Sequence, residues 1–233
     1  YWKWFLNRVQ AGFVDVRNPM NVHQVSRINI RPDVVDCIVF WTKNAGNVIP
    51  YLDQLKEYNY YFQYTINPYN KLIEENVPTK KNIIENFRAL SDIIGYNRVI
   101  WRYDPILLTD YIDIEYHIRY FEELAKRLQG YTQRCIISFV DLYKKTVSNT
   151  RDLMIREPTE NEMHILAKEL SEIAQRYGIE VLSCSENINL DTEGVRHGCC
   201  IDRNLIEDIV GYRIDIKKDE NQRKECGCVQ SID

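Results

Sequence analysis

Short β-branched or aromatic runs in this chain end abruptly in polar side chains, and each is followed by an amphipathic stretch. This alternation constrains the fold more than any other feature. The run endings read Cys37-Ile-Val-Phe-Trp-Thr-Lys43-Asn44, Tyr61-Phe-Gln-Tyr-Thr-Ile-Asn67, Val99-Ile-Trp-Arg102-Tyr-Asp104-Pro105, Ile136-Ile-Ser138-Phe-Val-Asp141 and Val181-Leu-Ser-Cys184-Ser-Glu186. Strands are expected near 36–42, 60–66, 97–103, 133–140, 179–185 and 212–216, and helices near 47–58, 80–95, 112–129, 159–177 and 202–210. Ile83, Ile84, Phe87, Leu90 and Ile94 fall on one stripe of the second helix. Thr79 stands where a cap is needed, and Thr159 precedes Glu162 at the spacing of a capping box.

Such alternation argues for a parallel sheet with helices outside it, rolled into a barrel or left open. No glycine-rich phosphate loop is present, so an open nucleotide-binding sheet lacks its usual support. The expected fold is a TIM-like (β/α) barrel, complete or incomplete. Phe13–Arg17 and Val25–Ile30, separated by Asn18-Pro19-Met20-Asn21, read as an early hairpin insertion. The chain opens in an amphipathic helix with Trp2, Phe5, Leu6 and Val9 at helical spacing. A barrel unit begins with a strand, so one is expected upstream.

A length of 233 residues suits one such domain. Its expected extent is 1–218, with 219–233 as the start of a cysteine-containing segment. The net charge of −4 provides no global field that draws in nucleic acid. The 16 Tyr and 4 Trp that prompt a base-stacking module fall mostly at core spacings, which disfavours it. Nothing in the chain reads as a signal peptide or membrane span, and the 7 cysteines lack the dense spacing of a secreted scaffold. Together these features predict a cytoplasmic protein with reduced thiols.

In a parallel barrel the carboxyl ends of the strands converge on one mouth, where chemistry takes place. Trp41, Lys43, Asn67, Arg102, Asp104, Asp141 and Glu186 all lie at such ends. Arg102 and Asp104 share a strand face, and they either bind substrate or pair with each other. As a charged group at the mouth, Arg102 is expected to contribute little to the packed layers below. Lys43 ends above the core if its face points inward, and otherwise it reaches solvent. Asp104, Asp141 and Glu186 suit metal coordination or acid–base work. Trp41 and Asn67 are the candidates for holding a cofactor, and the substrate expected at the mouth is a small or nucleotide-like molecule. Five of the seven cysteines fall in the last fifty residues. Cys184, Cys200, Cys226 and Cys228 are candidate ligands of zinc or an iron–sulfur cluster, and buried structural thiols are the alternative. His197 lies in His197-Gly198-Cys199-Cys200, where metal ligand, thiol chemistry and plain loop are all open.

The runs Val34-Val35-Asp36-Cys37-Ile-Val-Phe-Trp41-Thr-Lys43-Asn44, Arg98-Val-Ile-Trp-Arg102-Tyr-Asp104-Pro105 and Asp219-Glu-Asn221-Gln222-Arg223-Lys-Glu225-Cys226-Gly-Cys228-Val-Gln-Ser231-Ile-Asp233 resemble a bacterial family, domain of unknown function 1848. Ser185-Glu186, His197-Gly198 and Cys200-Ile201-Asp202 match its pattern too. The resemblance covers essentially the whole chain. It implies a Ser-Arg-Arg-Thr-Asp-Ile-Pro type strand before residue 1 and a C-x3-C-x2-C cluster after residue 233. That cluster is similar to the one in radical S-adenosylmethionine enzymes, where three thiolates hold a [4Fe–4S] cluster and leave one iron open. The leading expectation is therefore an iron–sulfur enzyme of that type. An ordinary barrel hydrolase or lyase, using the strand-end carboxylates, is the alternative.

Overall fold

A computed structural model describes residues 1–142, 153–184 and 186–232. Ser185 and Asp233, both part of the family motifs, lie outside them. Helix α1 (Trp2–Ala11) leads into a hairpin of β1 (Phe13–Asn18) and β2 (Asn21–Asn29). The Asn18 side chain accepts from the Met20 amide at 2.8 Å and fixes the turn that the sequence predicts.

Six strands follow: β3 (Ile38–Thr42), β4 (Tyr60–Thr65), β5 (Val99–Ile106), β6 (Arg134–Phe139), β7 (Glu180–Ser183) and β8 (Arg196–His197). They form one parallel sheet in the order β3-β4-β5-β6-β7-β8, so each strand is added beside its predecessor. An order without reversal has no topological switch point of the doubly wound kind. Among the described residues β3 and β8 are edges, and the sheet does not close.

The helices that connect these strands are α2 (Lys80–Ile94), α3 (Ile114–Leu128) and α4 (Glu160–Arg176). Thr79 caps α2 through the Asn82 amide, and Thr159 with Glu162 forms a reciprocal capping box on α4. These helices cover one face of the sheet, against Phe40, Phe62, Tyr64, Trp101, Tyr103, Cys135 and Ile137. Alternate residues of the same strands point the other way. Tyr61, Ile100, Ile136 and Leu182 pack there against Leu205 and Ile206 of α5 (Arg203–Val210), Ile214 and Val229. Thus α5 and the C-terminal segment cover the inner face that a barrel would enclose.

Two expected elements differ. Residues 47–58 form only a 3-10 helix, Ile49–Leu55, which carries Pro50 in its first turn and has no side-chain cap. Residues 212–216 do not join the sheet as a strand. The Ile214 amide donates to Glu207 at 3.1 Å and its carbonyl accepts from Arg203, so side chains of α5 take the groups that a ladder would use. The sixth parallel strand is instead the two-residue β8. No helix among the described residues is long and apolar enough to cross a membrane.

Candidate functional site

Along β5, β6 and β7 the inner face changes character. It begins with Arg134 and Glu180, continues through Ile100, Ile136 and Leu182, and ends in Arg102, Asp104, Ser138 and Cys184. The polar end is where the C-terminal segment returns. Cys200 lies three residues past the end of β8, and the Val229 amide donates to the Ile201 carbonyl at 3.2 Å. That bond brings Cys226 and Cys228, both buried, to the same place.

Arg102 organises this region. Its guanidinium donates to Asp104 Oδ2 through Nε at 2.9 Å and also through Nη2, while Nη1 lies 2.7 Å from Cys200 Sγ. Ser138 donates its hydroxyl to the other oxygen of Asp104. Arg102 is only 6% exposed, contrary to the expectation of a charge at an open mouth. Burial opposes its charge, but the neighbouring Asp104 carboxylate and Cys200 sulfur outweigh that and raise its pKa.

The thiols are in mutual contact. Cys184 Sγ and Cys200 Sγ are 3.1 Å apart, and Cys228 Sγ accepts from the Cys200 and Ile201 amides at 3.2 and 3.3 Å. Cys200 bonds with both other sulfurs, which lowers the pKa of Cys184 and of Cys228 and raises its own. Arg102 further lowers that of Cys184. These contacts favour thiolate character at Cys184 and Cys228, with Cys200 between them as the thiol. Cys226 bonds to Cys228, whereas burial pushes Cys199 up to about 12.

The other candidates are held nearby or elsewhere. Both amide atoms of Asn67 bind the Asp104 backbone, donating to its carbonyl at 2.8 Å and accepting from its amide at 2.9 Å. Asn67 thereby holds the backbone beside the cis Asp104–Pro105 bond. Glu186 accepts from the Phe139 amide at 2.9 Å, and burial pushes its carboxyl up to about 7. Asp141 is exposed and pairs with Arg223 at 2.6 Å. Lys43 reaches Glu74 at 2.8 Å, and Lys80 binds the other oxygen of the same carboxylate. Lys43 is thus an exposed partner in an ion pair, not a desolvated amine above the core. Trp41 is 50% exposed on the edge strand.

Several contributors escape sequence reasoning. Tyr61 and Gln63 donate to the Cys200 carbonyl at 2.6 and 2.9 Å and so position its sulfur. Gln63 Oε1 is buried without a partner among the described residues. The available signal is a glutamine at an alternate position of an otherwise aromatic strand. His117 is fully buried in α3 between the Tyr103 hydroxyl and the Leu107 carbonyl, and burial lowers its pKa to about 4. Open depressions lie elsewhere: one of about 360 Å³ is lined by Gln175, Ile179, Glu180 and Gly194, near the amino-terminal end of β7.

The donor set is soft and anionic, with a cation and N–H groups directed at its sulfurs. Its chemistry fits zinc or iron–sulfur ligation. Its packing is tighter than such a centre, because two thiolates on one tetrahedral zinc stand roughly 3.8 Å apart at the usual Zn–S bond length. Among the described residues no three His, Cys, Asp or Glu side chains stand in metal-binding geometry. The model of a family described as a domain of unknown function, DUF1848, matches residues 1–233. No curated protein and no solved structure matches the chain.

Proposed function

The chain belongs to the DUF1848 family, and from that premise we propose that it is an iron–sulfur enzyme related in chemistry to radical S-adenosylmethionine enzymes. The observation that carries this reading is the convergence of Cys184, Cys200, Cys226 and Cys228, from separate segments, beside the buried Arg102. When bound, a [4Fe–4S] cluster with an open iron supplies the electron that cleaves S-adenosylmethionine. Cys184, Cys200 and Cys228 are the residues that would hold it, after moving apart. Arg102 offsets the negative charge of the sulfurs, and the Cys200 and Ile201 amides hold Cys228 as a thiolate. Asp104, fixed by Arg102, Ser138 and Asn67, is positioned to accept a proton or orient a small or nucleotide-like substrate. The sequential strand order supports reading the sheet as the arc of a TIM-like barrel. Seven cysteines without a disulfide suit a reducing compartment, the cytoplasm.

Anaerobic reconstitution with ferrous iron and sulfide tests this directly. A brown protein that retains iron and sulfide through gel filtration is expected, with the Cys200→Ser variant retaining less of both. A colourless protein that never binds iron refutes the reading. The hydrolase or lyase alternative is favoured by one observation, the Glu186 carboxyl poised near neutral pH. It predicts a metal-independent activity that Glu186→Gln abolishes.

A further inference from the structure

We propose that Cys184 and Cys200 are an oxidation site: on meeting a hydroperoxide they join in a reversible disulfide. Their sulfurs stand 3.1 Å apart, about 1 Å beyond a disulfide bond length. The backbone holds them there. The Cys184 amide donates to the Ile137 carbonyl at 2.9 Å and the Gly198 amide to the Ser183 carbonyl at 2.8 Å, so the two sulfurs leave adjacent strand ends. Arg102, 2.7 Å from Cys200 Sγ, places a fixed cation beside the pair.

The neighbouring sulfurs are poorer partners. Cys228 accepts two backbone amides, and moving it onto Cys200 sacrifices both bonds. Cys199 Sγ faces Gly227 instead, where an added methyl group would stand only 2.6 Å away. Cys135 lies on the helix-covered face of the sheet and is fully buried.

The steps balance with the hydroperoxide as the sole oxidant. The Cys184 thiolate attacks the terminal oxygen, the O–O bond breaks, and the departing oxygen takes a proton from solvent and leaves as water or an alcohol. Cys184 is then a sulfenic acid. The Cys200 sulfur attacks Cys184 Sγ, the S–O bond breaks, and hydroxide leaves as water with the Cys200 proton. The two sulfurs lose two electrons to the peroxide, and a dithiol reductant returns them. The disulfide stands independently of any metal. Its consequence for iron uptake, the withdrawal of two of the three sulfurs that would hold the cluster, rests on the function proposed above.

The test uses the metal-free, reduced protein treated with hydrogen peroxide, followed by alkylation, trypsin digestion and mass spectrometry. Trypsin cuts after Arg196, so the two cysteines fall in different peptides. The expected product joins them with the loss of two hydrogens and reverts in dithiothreitol. In Cys184→Ser that cross-link is missing, and the wild-type result does not depend on how well the variant folds. A link between any other pair, conversion of Cys184 to a sulfinic acid with Cys200 still alkylated, or no reaction overturns the proposal. Reconstitution is then run on both redox forms. Failure of the reduced form to take up iron refutes the iron–sulfur reading and leaves the disulfide standing.

Discussion

Replacing Arg102 with alanine is expected to damage stability, because among the described residues the guanidinium is the sole cation bonded to Asp104. The pair is mostly out of water, with side-chain exposures of 8% for Arg102 and 21% for Asp104. Removing one partner of a buried pair costs about 3–5 kcal/mol, against at most about 1 for an exposed one. The lower end applies here, since Asp104 keeps the Ser138 hydroxyl and some contact with solvent. A loss of about 3 kcal/mol corresponds to a fall in Tm of about 6–12 °C for a domain of this length. Urea and thermal denaturation, followed by circular dichroism, measure both quantities. The cost arises from a stranded carboxylate, so the double variant Arg102→Ala/Asp104→Ala should be less destabilised than the sum of the single variants. A single-variant loss below about 1 kcal/mol, or strict additivity, would refute the reasoning.

Other outcomes follow from the same geometry. Asn67→Ala strands two part-buried backbone groups of Asp104 and should cost about 1–2 kcal/mol in urea denaturation. Thr159→Ala removes the α4 capping box and should cost about 1 kcal/mol by the same assay, with the cysteine region untouched. Burial raises the Glu186 carboxyl from its ordinary 4.5 to about 7, so its contribution to stability is complete below 4.5 and is lost as pH rises through 7. Glu186→Gln should flatten the stability profile in that window. His117 works in the opposite sense: with its pKa lowered from 6.5 to about 4, its contribution is present above 6.5 and is lost as pH falls through 4. NMR of the imidazole should show no titration near pH 6.5.

The alternating architecture is legible because periodicity and capping agree locally, as at Thr79 and Thr159. Ile214 and Ile216 mimic a strand, but nothing in their own spacing reveals that Arg203 and Glu207 will take the backbone bonds. The true last strand, Arg196–His197, has no apolar pattern to betray it. Clustering of late cysteines flags the thiol region. The partnership of Arg102 with Cys200 spans 98 positions and has no local signature. Lys43 shows a similar limit, since its carboxylate partner Glu74 lies 31 residues away in a connecting loop.

Covering the inner sheet face with the C-terminal segment has a kinetic consequence. Sheet neighbours are successive in the chain, whereas the cover is tied down by contacts such as Tyr61 to Cys200 and Tyr212 to Asp36, which span 139 and 176 positions. Closing loops of that length comes late in folding and is reversed early. The cover is therefore expected to open as a separate cooperative unit while the strands stay paired. Amide exchange in residues 203–229 should outpace that in β4 and β5, and thiol alkylation should report the same opening. Exchange and alkylation that rise together would place access to the sulfurs under the lifting of the last thirty residues, with the sheet beneath them intact.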